Sequence, residues 1–202
     1  MADRLADVFD VEPADAFRPE PGPAARLLPG RLGEAVEAFD HRVDQAFEVL
    51  RGNHVVDRLF YGASAVGDFS LVWHLAATIR AVSGAEREAL RLAVSLAAES
   101  AVINLGVKSL FRRTRPVPVA HATRRLRTPR SSSFPSGHAT SGFMAATLLS
   151  AGRPRSRLLW YALAAVVASS RVHVKIHHGS DVAAGAVIGV ALGSAVRKIW
   201  RL

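Results

Sequence analysis

The chain has 202 residues, half of them hydrophobic, with a mean hydropathy of +0.17 and a net charge of +9. A chain of this size can bury a full core as a single domain. The absence of cysteine excludes disulfides and thiolate metal sites. Nearly all the cations are arginine, with lysine only at Lys108, Lys175 and Lys198, and such a balance suits phosphate-bearing or anionic partners.

Residues 1–30 hold Asp3, Asp7, Asp10, Glu12, Asp15 and Glu20 among prolines and lack an apolar stretch. They read as a flexible tail without a cleavable signal peptide. From 34 to 50, the apolar residues Val36, Phe39, Val43, Phe47 and Leu50 recur at steps of three and four, which predicts an amphipathic helix within 31–53. It either packs on the rest of the protein or lies on a membrane surface. Residues 55–65 form a shorter amphipathic piece that leads through Gly67 and Asp68 into the first of five apolar segments. That piece either continues into the segment as one kinked helix or rests at an interface.

The apolar segments are 69–82, 89–110, 139–151, 158–170 and 182–199. None is an uninterrupted apolar run of about 20 residues, the length a bilayer core requires. The first contains His74 and Arg80, the second Glu99 and Asn104. His74 reads as a histidine satisfied inside the bundle, and Glu99 and Asn104 as hydrogen-bonded groups facing it. The last segment carries Gly185, Gly189 and Gly193 at steps of four, a small-residue seam that permits close helix approach. Trp160, Tyr161 and Trp200 sit beside Arg157, Arg197 and Arg201 as interfacial anchors do. The expected fold is all-α: an antiparallel, membrane-embedded bundle of five to six core helices over 54–202, preceded by the amphipathic helix.

Polar residues with a shared chemistry punctuate these segments. Lys108 ends the second, and Arg115 follows seven residues later, before Pro116, which turns the chain into a loop. Ser136-Gly137-His138 opens the third segment; Ser136 suits an N-cap, and Gly137 lets the backbone approach a ligand. Exposed N–H groups at such a helix start favour an anion. Arg171 closes the fourth segment, and His177 and Asp181 open the fifth, with Asp181 capping that helix. Antiparallel threading brings all these side chains to one end of the bundle. Three fixed cations suit a phosphate, and two imidazoles suit covalent phosphoryl transfer.

The set Lys108-x6-Arg115-Pro116, Pro135-Ser136-Gly137-His138 and Ser170-Arg171-x5-His177-x3-Asp181 resembles the tripartite signature of the type 2 phosphatidic acid phosphatase (PAP2) family. The resemblance spans 108–181 with every motif position filled, and the first 50 residues lie outside it. It implies a helical phosphatase core in which His177 attacks phosphorus to form a phosphohistidine and Asp181 holds its other ring nitrogen. His138 protonates the leaving oxygen and later activates water. Lys108, Arg115, Ser136, Gly137 and Arg171 hold the phosphate oxygens. No metal or cofactor is expected, because these cations supply the neutralisation. A metal site on His173, His177 and Asp181 is disfavoured by neighbouring Arg171 and Lys175, and His178 is a weaker candidate nucleophile. Arg112, Arg113, Arg124, Arg125, Arg127 and Arg130, with His121, read as a solvated or headgroup-facing loop.

The expected activity is metal-independent hydrolysis of a membrane lipid phosphate, polyprenyl-linked or glycerolipid, with a polyprenyl-phosphoryl sugar phosphate as the specific guess. Membrane lipids are the expected surroundings, nucleic acid is not an expected partner, and the expected location is multi-pass in a bacterial inner membrane. Two alternatives compete with it. One is a soluble acid phosphatase or haloperoxidase of the same superfamily. The other is a non-catalytic basic membrane-binding protein, which explains the arginine-rich loop but leaves His138, His177 and Asp181 without a role.

Overall fold

A computed structural model describes residue 28 and residues 30–117 and 131–200. The acidic tail, apart from residues 28 and 30, lies outside the described residues, as do His121, Arg124, Arg125, Arg127, Arg130 and Arg201. The described residues are helical, without strands. The helices are α1 Arg31–Glu48, α2 His54–Gly67, α3 Leu71–Val82, α4 Glu86–Leu110, α5 Gly137–Leu149, α6 Pro154–His173 and α7 Gly179–Ile199. Their ends have local causes. Asn53 accepts the Val55 and Val56 N–H groups at 3.0 and 3.3 Å to start α2. Pro154 occupies the first turn of α6, where its missing N–H has no consequence.

Helix α5 is the axis of the bundle. Its sequence is apolar or small on every face, and ten of its thirteen residues are buried, as expected of a helix surrounded by others. Trp73 of α3, Leu92 and Leu96 of α4, and Ala164 and Val167 of α6 close around Met144, Ala145 and Ala146. Against its remaining side lies α7, whose glycines permit near backbone contact. A Cβ at Gly189 would lie 2.3 Å from the Thr140 carbonyl oxygen, and one at Gly185 would lie 2.7 Å from that of Ser136. Because the obstacle at Gly189 is backbone, Gly189→Ala is expected to force the two helices apart. The expected cost is about 1–3 kcal/mol, read as a lower unfolding temperature in detergent. An unchanged temperature would show that the seam tolerates a methyl group.

Much of the exterior is apolar. Leu71, Leu75, Ile79 and Val82 form an exposed row on α3, and Leu90, Val94, Val102 and Leu105 form another on α4. Helices Glu86–Leu110 and Gly179–Ile199 are long and apolar enough to cross a membrane, with only 33% and 17% of their most apolar windows buried. A core helix of a water-soluble protein would be mostly buried, whereas exposed apolar faces of this extent suit contact with lipid or a partner surface. Two sequence expectations shift in detail. Trp160 and Tyr161 pack against the core, and the Tyr161 hydroxyl meets Thr147 Oγ1 at 2.9 Å, so these rings do more than anchor an interface. His74 is exposed on α3, so it is not satisfied inside the bundle.

Residues 55–65 belong to the bundle, because α2 packs along α6. The chain then breaks sharply: Phe69 and Ser70 both adopt left-handed conformations, with φ of 52° and 57°, so α2 and α3 are distinct helices. Helix α1 docks on α6 and α7 and does not stand apart. Its Phe47 meets Phe60 at 5.9 Å, and Val43 fills the space beside Gly179.

Candidate active site

The three sequence stretches meet at the N-terminal end of α5. Lys108, Gly137, His138, Arg171 and His177 line one cleft of about 380 Å³. Arg115 borders it from the loop after α4, and Ser136 and Asp181 lie buried. All eight predicted site residues therefore converge.

His177 sits in the turn between α6 and α7. Its position is secured from behind: Arg51 donates to the Val172 and His173 carbonyls, each at 2.9 Å, and the Arg171 carbonyl accepts the His177 N–H at 3.1 Å. Arg115 Nη1 donates to His177 Nε2 at 3.3 Å and to the Ile176 carbonyl at 3.0 Å. A guanidinium can only donate, so this contact assigns the lone pair to Nε2 and the ring proton to Nδ1. Nδ1 faces Asp181 Oδ2 at 3.6 Å. Burial pushes the His177 pKa down to about 3, so the ring is neutral at physiological pH and its Nε2 lone pair is available for attack.

Asp181 lies in the first turn of α7 and does not itself occupy the cap position. His178 is the N-cap, and Asp181 Oδ2 accepts its backbone N–H at 2.9 Å, closing a capping box. Its buried position places the carboxylate on the Nδ1 side of His177, while the Asp181 carbonyl accepts the Ser136 N–H at 3.1 Å. That bond ties the starts of α5 and α7 together. Ser136 stands at the N-cap position of α5, but its side chain caps nothing: Ser136 Oγ is fully buried without a hydrogen-bond partner. The orphaned hydroxyl, at a helix start beside Gly137, matches an anion-binding role. Gly137 is close enough to Lys108 that a Cβ there would lie 3.8 Å from Nζ.

His138 projects from the first turn of α5. Its Nε2 lies 3.2 Å from the Ser64 carbonyl oxygen and 3.3 Å from Asp68 Oδ1. Two acceptors on one side require a proton on Nε2, which leaves Nδ1 to exchange a proton with a substrate. Gly67 makes this packing possible, because a Cβ there would come within 2.5 Å of the His138 ring. Arg171 is buried, hydrogen-bonded to Ser64 Oγ and 3.9 Å from Asp68. The last turns of α4 pass through a π-helical stretch at Val102–Val107, followed by Lys108, whose Nζ donates to Asn104 Oδ1 at 2.9 Å. Wide turns of this kind recur at functional sites because they re-aim the side chains that follow.

Several participants were not legible as such. Arg113, read above as one of a solvated arginine group, is instead buried and paired with both Asp40 and Asp181. Arg112 beside it is exposed. Asp40 belongs to α1 and looks from the sequence like part of a polar face. Asp68, read only as a connector, sits against His138 and Arg171. Asn104 is exposed yet lines the cleft, whereas Glu99 is buried in its wall. His173 is no metal ligand with His177: it is buried against Asp57 at 2.8 Å and stacked on Phe60 at 4.6 Å. His178 meets the Thr114 carbonyl at 3.2 Å and does not line the cleft. Among the described residues no cluster of three or more histidines and carboxylates is arranged to hold a metal ion.

Comparison with known proteins points to one family. The family model of the PAP2 superfamily matches residues 88–201. Decaprenylphosphoryl-5-phosphoribose phosphatase of Mycobacterium tuberculosis, in each of two strains, is 34% identical over 139 residues, covering 68% of this chain and 77% of its own. Among solved structures, Aquifex aeolicus LpxE superposes with a TM-score of 0.63 at 22% identity, covering 76% of this chain and 93% of its own. The first transmembrane PAP2-type phosphatidylglycerolphosphate phosphatase from Bacillus subtilis superposes with a TM-score of 0.61 at 21% identity, covering 88% and 90%. With a family match over more than half the chain and a signature complete from Lys108 to Asp181, this protein belongs to the PAP2 superfamily.

Proposed function

We propose that the protein is a metal-independent, multi-pass membrane phosphatase that hydrolyses a polyprenyl-phosphoryl sugar phosphate in the cell membrane through a phosphohistidine at His177. One observation carries this reading. A neutral, oriented imidazole and a second histidine share a polar cleft with Lys108 and Arg171, with Arg115 against His177 at its border, at one end of a bundle with long apolar rows on its outside.

The chemistry runs in two displacements. His177 Nε2 attacks phosphorus in line, forming the N–P bond as the ester P–O bond breaks. His138 enters the cycle as the imidazolium, its Nε2–H held by the Ser64 carbonyl and Asp68, and the departing alkoxide takes the proton from Nδ1. Positive charge on the His177 ring is met by Asp181 across Nδ1. Water then gives a proton to His138 and attacks phosphorus, the N–P bond breaks, and inorganic phosphate leaves with both histidines restored. Lys108, Arg115, Arg171, Ser136 and the Gly137 N–H hold the equatorial oxygens as charge builds in both steps.

The identity of the substrate draws support from two directions. The relative from Mycobacterium tuberculosis is named for a decaprenylphosphoryl phosphoribose. Beyond the phosphate-binding residues, the cleft continues past Ser100, Asn104 and His74, groups that suit sugar hydroxyls. The proposal is tested by phosphate release in EDTA from a polyprenyl-phosphoryl pentose 5-phosphate, set beside glycerolipid phosphates. The pentose phosphate should be preferred, and vanadate should inhibit by adopting five-coordinate geometry on His177. Preference for a glycerolipid phosphate would overturn the substrate, and loss of activity in EDTA would overturn the mechanism.

A further inference from the structure

The buried Asp40 of α1 has no part in the two displacements described above, yet it sits one residue removed from the nucleophile's partner. Its Oδ1 accepts the Ser180 N–H at 2.7 Å and its Oδ2 accepts the Ser180 hydroxyl at 2.9 Å. Oδ2 also pairs with Arg113 Nη2. Arg113 Nη1 in turn donates to Ser180 Oγ at 2.7 Å and pairs with Asp181 Oδ1. Asp181 Oδ2 faces His177 Nδ1. The two carboxylates and the guanidinium between them are all at most 9% exposed on their side chains, so solvent screens their charges weakly.

The charge count along this chain has a consequence. Asp181 must offer a full negative charge to the ring of His177 as Nε2 bonds to phosphorus. Arg113, paired directly with the other oxygen of the same carboxylate, cancels that charge if left alone. With Asp40 the three groups sum to −1, the value one imidazolium neutralises. Arg113 also pins Oδ1 away from the ring, so that Oδ2 alone meets Nδ1. We infer that Asp40 and Arg113 are positioning residues for phosphoryl transfer: Asp40 balances Arg113, and Arg113 aims Asp181 at His177. Helix α1, which lies outside the 88–201 family match, thereby becomes part of the catalytic unit. This rests on the reading of His177 as the attacking residue.

The test uses the full-length protein in detergent with a polyprenyl-phosphoryl pentose 5-phosphate. Asp40→Asn should lower kcat roughly 10–100-fold, by analogy with the loss of groups that orient metal-bound histidines, with KM within about twofold, because Asp40 touches no substrate. Arg113→Lys should retain more of kcat than Arg113→Met, since it keeps the charge; this pair carries the test if Asp40→Asn does not fold. In [15N]histidine-labelled protein, wild-type His177 should appear as the Nδ1–H tautomer and Asp40→Asn should mix the two tautomers. A kcat within twofold of wild type, with only the unfolding temperature lowered, would reduce Asp40 to a strap for α1 and overturn the inference. So would equal kcat in the Arg113→Lys and Arg113→Met variants. Should wild type release no phosphate from any lipid phosphate, the proposed function falls. The tautomer signals then decide the positioning role by themselves.

Discussion

His177→Ala should release no phosphate from any substrate, a loss on the order of 10⁶-fold, as expected when a covalent nucleophile is removed from a site whose parts act as a unit. The reason lies in the ring's surroundings. Arg115 donates to Nε2 and Asp181 faces Nδ1, so proton and lone pair are sorted before substrate arrives. No neighbour can substitute, because His178 faces the Thr114 carbonyl and His173 is committed to Asp57. The fold should survive. The turn carrying His177 is held by the Arg51 side chain and by main-chain bonds to the Arg171 carbonyl, none of which uses the imidazole. Two measurements check this together: phosphate release, and the unfolding temperature of the same sample. Full activity in a folded variant would remove His177 from the chemistry and return attention to His178.

A different signature is expected of His138→Ala. Loss of a positioned acid and base slows turnover by roughly 10²–10⁴-fold, but the attacking nitrogen remains. With an aryl phosphate, whose leaving group departs without a proton, the first displacement should proceed and the second should stall for want of a base. Acid-labile phosphate on nitrogen should then accumulate, visible as a burst of phenolate close to one equivalent per protein. Steady release without a burst would show that His138 serves only the leaving group. Because the His138 ring fills the space over Gly67 and bonds the Ser64 carbonyl, the variant's unfolding temperature should drop modestly, and the burst must be normalised to folded protein.

The parts of this protein differ in how far they could be read from the chain. Apolar segments of helical length, threaded antiparallel, put their intervening polar residues at one end, and the glycine steps at 185, 189 and 193 marked the face of α7 that meets α5. The eight signature residues were legible because their spacing against those segments put them all at one end. The break between α2 and α3 was not. It depends on left-handed backbone at Phe69 and Ser70, residues with no intrinsic preference for that conformation, so no residue type announced it.

The charge network shows the same division more sharply. In one dimension Arg113 is one arginine of a basic run, and Asp40 is one acid on a helix with acids on its polar face. A run of residue types specifies periodicity and local turn chemistry, so helices, their order and the phosphate-binding inventory were determined by the sequence alone. Which arginine is buried is a different kind of fact. Arg113 and Asp40 are 73 residues apart, and a charged side chain loses its solvent only if tertiary packing delivers its partner. The docking of α1 against α6 and α7 made that delivery, and with it decided the surroundings in which His177 and Asp181 work.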